Sequence, residues 1–273
     1  MLIKRLDGTC QIRVTSILLL TTLLVSVIFI GGCTLGQSDS PPAEPETKRT
    51  ITFGGHEWGV KYGDQLGPGP NYFSDSEDSL WVDKDGRLHM TILKKEGKWL
   101  CTEVINRQSL GYGSYIFTLN SRVDELDENI ILGMFTWDTY APDYNYREID
   151  FEFGKWQKPE NKNSQFVIQP WTTEGNTHRY DITYDGPTET TTHIMNWQPD
   201  RIDFKSYYGR YTEAPSAEDM IHSWTYTGKD NPPPGGENIR INLWLVWGEF
   251  PTDDKDVEIV VEDFKFLPNA IDP

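Results

Sequence analysis

An all-β sandwich or barrel is the fold class this sequence predicts, and three observations carry it. Beyond Ser79, stretches of about five to nine β-branched and aromatic residues alternate with clusters of Gly, Pro, Asn and Asp, the spacing of short strands rather than of a parallel α/β sheet. Only Ser216 to Ile221 has the composition of a short helix. The sequence also holds no internal repeat, glycine-rich phosphate loop or Gly-x-Ser-x-Gly elbow.

The strands are expected in this order. Leu80 to Val82 and Leu88 to Leu93, joined through Asp85-Gly86, read as a hairpin with a glycine-containing loop. Trp99 to Arg107, Tyr112 to Val123, Ile130 to Trp137, Arg147 to Phe153, Gln165 to Trp171 and Arg179 to Tyr184 follow. Thr190 to Trp197, Ile202 to Tyr208, Ile239 to Val246 and Val257 to Leu267 complete the set.

The N-terminus reads differently. Lys4, Arg5 and Arg13 precede the apolar run Val14 to Ile30, which ends in Gly31-Gly32-Cys33, the charged, apolar and small-residue layout of an export signal. The small pair before Cys33 resembles a prokaryotic lipobox, so residues 1–33 are expected to be a lipoprotein signal with Cys33 as the lipidated residue. An uncleaved transmembrane anchor is the alternative, at the lower limit of spanning length. Residues 34–50, rich in Ser, Pro and Glu, read as a disordered tether. Residues 51–273 are then the single globular domain. Cys10 and Cys33 lie outside it, so Cys101 has no disulfide partner and is expected to be a buried apolar residue.

A net charge of −17 excludes a nucleic-acid or anionic-membrane surface and argues more weakly against densely sulfated polysaccharides. Ten Trp and thirteen Tyr in an exported chain suggest stacking on sugars as well as core packing. The five histidines lie apart in sequence without metal-ligand spacing, so no metal site is assigned, and His193 is expected to pack or hydrogen-bond.

The chemistry concentrates in Arg147-Glu148-Ile149-Asp150-Phe151-Glu152-Phe153. In a strand, Glu148, Asp150 and Glu152 share one face, ~6.6 Å apart at Cα, and the apolar residues take the other. Like charges in a row destabilise a strand, so the row calls for a use. Two glutamates over a cleft fit glycoside hydrolysis, with a carboxyl separation of about 5–5.5 Å for a retaining enzyme. Asp150 between them would split their proton affinities. A solvated acidic face and an ion site are the competing readings of the residues.

At this motif the chain resembles glycoside hydrolase family 16, whose signature is Glu-x-Asp-x-Glu. Asn71-Tyr72-Phe73, Ser79 to Leu93, Glu103 with Tyr112-Gly113, Trp197-Gln198-Pro199-Asp200-Arg201-Ile202-Asp203-Phe204, Asn242-Leu243-Trp244 and Val257 to Pro268 extend the resemblance over residues 70–268. It implies a concanavalin A-like jelly-roll sandwich with a concave substrate cleft. It further implies Glu148 as nucleophile, Asp150 as assistant and Glu152 as acid/base. The single residue between Asp150 and Glu152 resembles the lichenase and xyloglucan-active branch rather than members with a bulge there.

Substrate contacts are expected from Glu103, Arg107, Trp137, Gln169, Trp171, Asn242 and Trp244, with Trp156 and Trp247 looser candidates. Arg107 stands in because Ile105 occupies the place of a cleft arginine of that branch. Arg147 precedes the nucleophile where Asp is usual. The expectation is a monomeric, retaining endo-glycosidase on a β-glucan in the cell envelope, requiring no cofactor beyond a possible structural calcium. A transglycosylase on the same site and a carbohydrate-binding surface lipoprotein are the alternatives.

Overall fold

The computed structural model describes residues 44–185, 188–211 and 217–269. The expected signal and Cys33 lie outside the described residues. All described residues belong to one compact unit, Pro41–Pro273.

Sixteen strands follow in order: β1 (Glu46–Phe53), β2 (His56–Leu66), β3 (Asn71–Phe73), β4 (Leu80–Val82), β5 (Leu88–Lys95), β6 (Lys98–Asn106), β7 (Gly113–Asn120) and β8 (Ile130–Trp137). Then come β9 (Ile149–Phe153), β10 (Ser164–Ile168), β11 (Thr177–Tyr180), β12 (Thr190–Trp197), β13 (Ile202–Tyr208), β14 (Met220–Tyr226), β15 (Asn238–Leu245) and β16 (Val257–Pro268).

Antiparallel pairing orders one layer β11-β10-β9-β8-β15-β6-β2-β1 and the other β4-β5-β16-β7-β12-β13-β14. The β5–β6 pair joins them. This is a jelly-roll sandwich, as expected.

The core shows why β9 presents its carboxylates outward. Ile149, Phe151 and Phe153 are fully buried. Phe151 meets Phe117, Phe204 and the His193 ring of the opposite layer at 6.5, 5.4 and 5.7 Å between centroids. Burying a Phe side chain contributes about 1.5–3 kcal/mol, so slipping β9 by one residue would exchange three buried apolar groups for three carboxylates.

Three expectations are corrected here. The tether does not run to Thr50: Glu46–Phe53 is an edge strand paired along β2, and its alternating half-exposed pattern hid it among the polar residues before Ile51. Of Ser216 to Ile221, Ala217–Asp219 forms one 3-10 turn, and β14 begins at Met220 to pair with β13. The histidines are not all apart: His178 and His222, on edge strands of different layers, bring their Nε2 atoms to 2.7 Å.

His193 is a satisfied core histidine, bonded to Ser206 and Thr191 at 2.9 Å each and lowered by burial to about 3. Cys101 is a free, buried thiol, pushed up by burial to about 12.

Candidate active site

Local geometry ahead of β9 sets the first carboxylate. Asn145, Tyr146 and Arg147 all occupy the left-handed region, with φ of 51°, 58° and 54°. Side-chain-bearing residues persist there only where their surroundings over-determine them. Arg147 Nε donates to Asp138 Oδ2 at 3.1 Å, its guanidinium donates to the Pro233 carbonyl and lies 4.2 Å from the Tyr144 ring centroid. Tyr146 stacks on Trp137 at 4.5 Å. Arg147 is therefore a loop anchor and not the first residue of the strand, as the sequence suggested. Glu148 follows in extended conformation and its carbonyl accepts from the Gln169 N–H at 3.2 Å, so the alternation of β9 includes it.

Strand register then lays the site out in rows. One row crosses β11 to β6 as Arg179, Gln165, Glu152, Gly133, Asn242 and Glu103. The row beside it runs Thr177, Val167, Asp150, Phe135, Arg240 and Ile105. Pairing on both sides of β9 is continuous, so the carboxylate strand has no bulge. A Cβ at Gly133 would lie 2.5 Å from Asn242 Oδ1, so any side chain there would displace the Asn242 amide.

These rows floor a groove made of two adjoining cavities of about 420 and 640 Å3. The first is lined by Glu148, Asp150, Glu103, Lys61, Arg240, Asn242 and Trp137, and the second by Gln165, Gln169, Arg179, Trp156, Trp171 and Trp247. Glu152 and Trp244 line both, which places Glu152 at the junction.

Ion pairs link the side chains of the first half. Glu103 and Lys61, 1% and 5% exposed, pair at 2.7 Å, and Arg240 reaches Glu103 at 3.7 Å and Glu44 at 2.9 Å. Four of the nine buried side-chain polar atoms that lack a hydrogen-bond partner among the described residues belong to the two rows: Glu103 Oε1, Asp150 Oδ2, Gln165 Oε1 and Asn242 Oδ1. Buried polar atoms are normally paired, so four unpaired ones in adjoining rows set this part of the sheet apart from the packed core.

The carboxylates hold protons more tightly than ordinary ones. Burial and the Glu152 charge push Glu148 up to about 8, against the hydrogen bond to Asp150 and the Arg240 charge. Asp150 is driven well up by burial and by both flanking glutamates. Burial raises Glu152, opposed by the Gln165 amide, which donates at 2.6 Å, and by Arg179. The three titrate as a unit.

No protein-family model matches the sequence, and no curated protein does. Solved structures do match. Bacillus licheniformis β-glucanase is 17% identical, with a TM-score of 0.56 over 77% of this chain and 91% of its own. A prokaryotic β-1,3-1,4-glucanase (lichenase) derived from a mouse hindgut metagenome is 18% identical, with a TM-score of 0.53 over 77% and 92%. A laminarinase from Flavobacterium sp. UMI-01 is 15% identical, with a TM-score of 0.56 over 77% and 92%. This chain has the glucanase jelly-roll fold.

Within that fold the expected residues fall into three groups. Glu148, Asp150 and Glu152 come together with Glu103, Trp137, Asn242 and Trp244 in the first half of the groove. Gln169 and Trp171 line the second, with Trp156 and Trp247. Arg107 does neither: it lies beyond the end of β6, its guanidinium donating to the Thr47 carbonyl and the Thr50 hydroxyl of β1.

No arginine stands at position 105, but Arg240, directly across the β6–β15 pair from Ile105, lines the first half of the groove. Lys61, Gly133 and Arg179 were also missed, since nothing local marks them. Pairing Asn242 with Glu103 would have placed Arg240, because opposition fixes the rest of a ladder. Among the described residues no three His, Cys, Asp or Glu side chains are grouped to hold a metal ion.

Proposed function

We propose that this chain is a family 16 glycoside hydrolase that cleaves internal β-glycosidic bonds of a β-glucan with retention of configuration. The observation that carries the reading is the unbulged row of Glu148, Asp150 and Glu152 on the floor of a groove that extends to either side of Glu152. The names of the fold neighbours, β-glucanase, lichenase and laminarinase, support the substrate class.

The two halves of the groove support one direction for the substrate. Glu148 lines only the first half, so the sugar it attacks at the anomeric carbon lies there. Glu152 at the junction protonates the departing oxygen, and the leaving-group sugars run into the tryptophan-lined second half. Asp150, whose hold on its proton is strengthened by burial between two glutamates, donates a hydrogen bond to Glu148, which opposes the rise in the nucleophile's own proton affinity. Once the leaving group departs, Glu152 takes a proton from water, which releases the glycosyl group from Glu148.

Four tryptophans around the second half, Trp156, Trp171, Trp244 and Trp247, favour a second reading in which a sugar replaces that water. Incorporation of a labelled acceptor oligosaccharide distinguishes transfer from hydrolysis. The enzyme acts as a monomer at the cell envelope, held by a lipid on Cys33.

Product release from mixed-linkage glucan, laminarin, xyloglucan and β-galactans tests the assignment. The full chain should cleave one of these polymers and its Glu148→Gln form should not, by a factor of at least about 10³, within the range enzymes derive from their catalytic groups. Equal release by both forms would remove Glu148 from the reaction.

A further inference from the structure

With 42 acidic and 25 basic residues, this chain is expected to pair its cations, so a cluster outside any ion pair calls for a use. Such a cluster borders the second half of the groove. Arg179 and Lys158 line that half, and Lys162 Nζ donates to the Arg179 carbonyl at 3.2 Å. Among the described residues none of the three forms an ion pair, whereas Lys61 and Arg240 in the first half are neutralised by Glu103 and Glu44.

Arg179 is also oriented. Its guanidinium lies 4.8 Å from the Trp156 ring centroid, and cation–π contact of this kind fixes a planar fork of donors in one plane. In register it faces Gln165, which faces Glu152, so two strand spacings, ~9–10 Å, separate it from the acid. Trp171 and Trp247, 65% and 71% exposed, offer ring faces in the same half.

We propose that the second half of the groove binds a sugar bearing an anionic substituent, a carboxylate or a sulfate ester, with Arg179 as the principal contact. That the ligand is a saccharide rests on the glycosidase reading; that it is anionic rests on the unpaired cations. A guanidinium fork matches the paired oxygens of either group. The net charge of −17 sets the density of such groups: a heavily sulfated chain is repelled by the body of the protein, and a polymer with sparse acidic substituents is not. The anion also touches the chemistry. Arg179 opposes the burial that raises Glu152, so neutralising it favours the protonated acid and extends activity to higher pH.

Calorimetry with the full-length Glu148→Gln protein tests this without turnover. The ligands are neutral β-glucan oligosaccharides, the same oligosaccharides oxidised at primary hydroxyls to uronic acids, and their mono-sulfate esters. At least one acidic set should bind about tenfold more tightly than the neutral one. That advantage should shrink with added salt and fall to about twofold or less when Arg179→Gln is added. Whether the carboxylated or the sulfated set leads identifies the natural substituent. Equal affinity for neutral and acidic ligands, no binding of any, or an advantage that survives Arg179→Gln overturns the proposal. Failure of the glycosidase reading appears separately, as absence of product from the wild-type chain.

Discussion

The two halves of the groove meet at Glu152 yet are built on opposite principles. The half on β8, β15, β6 and β2 is floored by charges that neutralise one another, the buried pair Lys61 and Glu103 and the buried Arg240 with the exposed Glu44. The loop that leads into Glu148 is pinned by Arg147 on Asp138. The half on β10 and β11 is walled by exposed tryptophans and cations with no ion pair among the described residues. On the glycosidase reading proposed above, the difference separates two tasks. A reacting sugar must sit still against Glu148 and Asp150, and a fixed, desolvated floor costs no reorganisation during reaction. A departing chain must leave, and exposed ring faces hold it without enclosing it.

The largest effect that tests the contrast is on stability. Lys61→Met leaves Glu103 buried with only Arg240 at 3.7 Å, and losing one partner of a buried pair typically costs 3–5 kcal/mol. Urea unfolding should show a loss of about that size, whereas Arg179→Gln should stay within about ±0.5 kcal/mol, as exposed substitutions do. Equal losses would mean that the two halves are not differently built.

Next in size is the loop anchor. Arg147→Met frees three left-handed residues ahead of Glu148, so kcat should fall about 10–100-fold with KM little changed, since misplacement of a reacting group acts on the chemical step. A change confined to KM would make Arg147 a binding residue.

The pH dependence of stability gives a third. Glu148 is raised in the folded protein, from 4.5 to about 8, so its contribution is present in full below pH 4.5 and is lost as pH rises through about 8. Glu148→Gln escapes that loss. The variant should melt above the wild type at pH 8, by roughly 2–4 °C for each kcal/mol recovered, and the gap should close near pH 4. A gap that widens on acidification would mean that Glu148 is stabilised as the anion.

The smallest effect belongs to the open half. Trp171→Ala should raise KM for long substrates about three- to tenfold, the order of 1 kcal/mol, and leave cleavage of oligosaccharides too short to reach it unaffected. An equal loss on both would place Trp171 in the reacting subsite.

What could be read from the sequence follows the range of the interactions. The carboxylate row was legible because a period of two over seven residues fixes both its face and its apolar backing, and the structure puts Ile149, Phe151 and Phe153 at full burial behind it. Most strand positions were legible for the same reason.

Arg240 was not, because its place depends on β15 pairing with a strand more than a hundred residues earlier. Arg107 was misread because continuing the alternation of β6 ignores where that strand ends and what covers it, namely β1, whose polar residues read as tether. The His178–His222 contact is likewise invisible locally, since its residues come together only when the edges of the two layers meet. Charge partners assembled from distant strands escape a linear reading; a face set by one strand does not.

The account stands or falls on Glu148 as the nucleophile of a retaining reaction. Incubation of the full chain with an activated 2-deoxy-2-fluoro glycoside of a β-glucan oligosaccharide, followed by peptide mass mapping, tests this directly. The account predicts one glycosyl group bound covalently to the peptide containing Glu148, at the Glu148 carboxyl, and no adduct in Glu148→Gln. A label on Glu152, or turnover that yields the inverted anomer with no adduct, would contradict it.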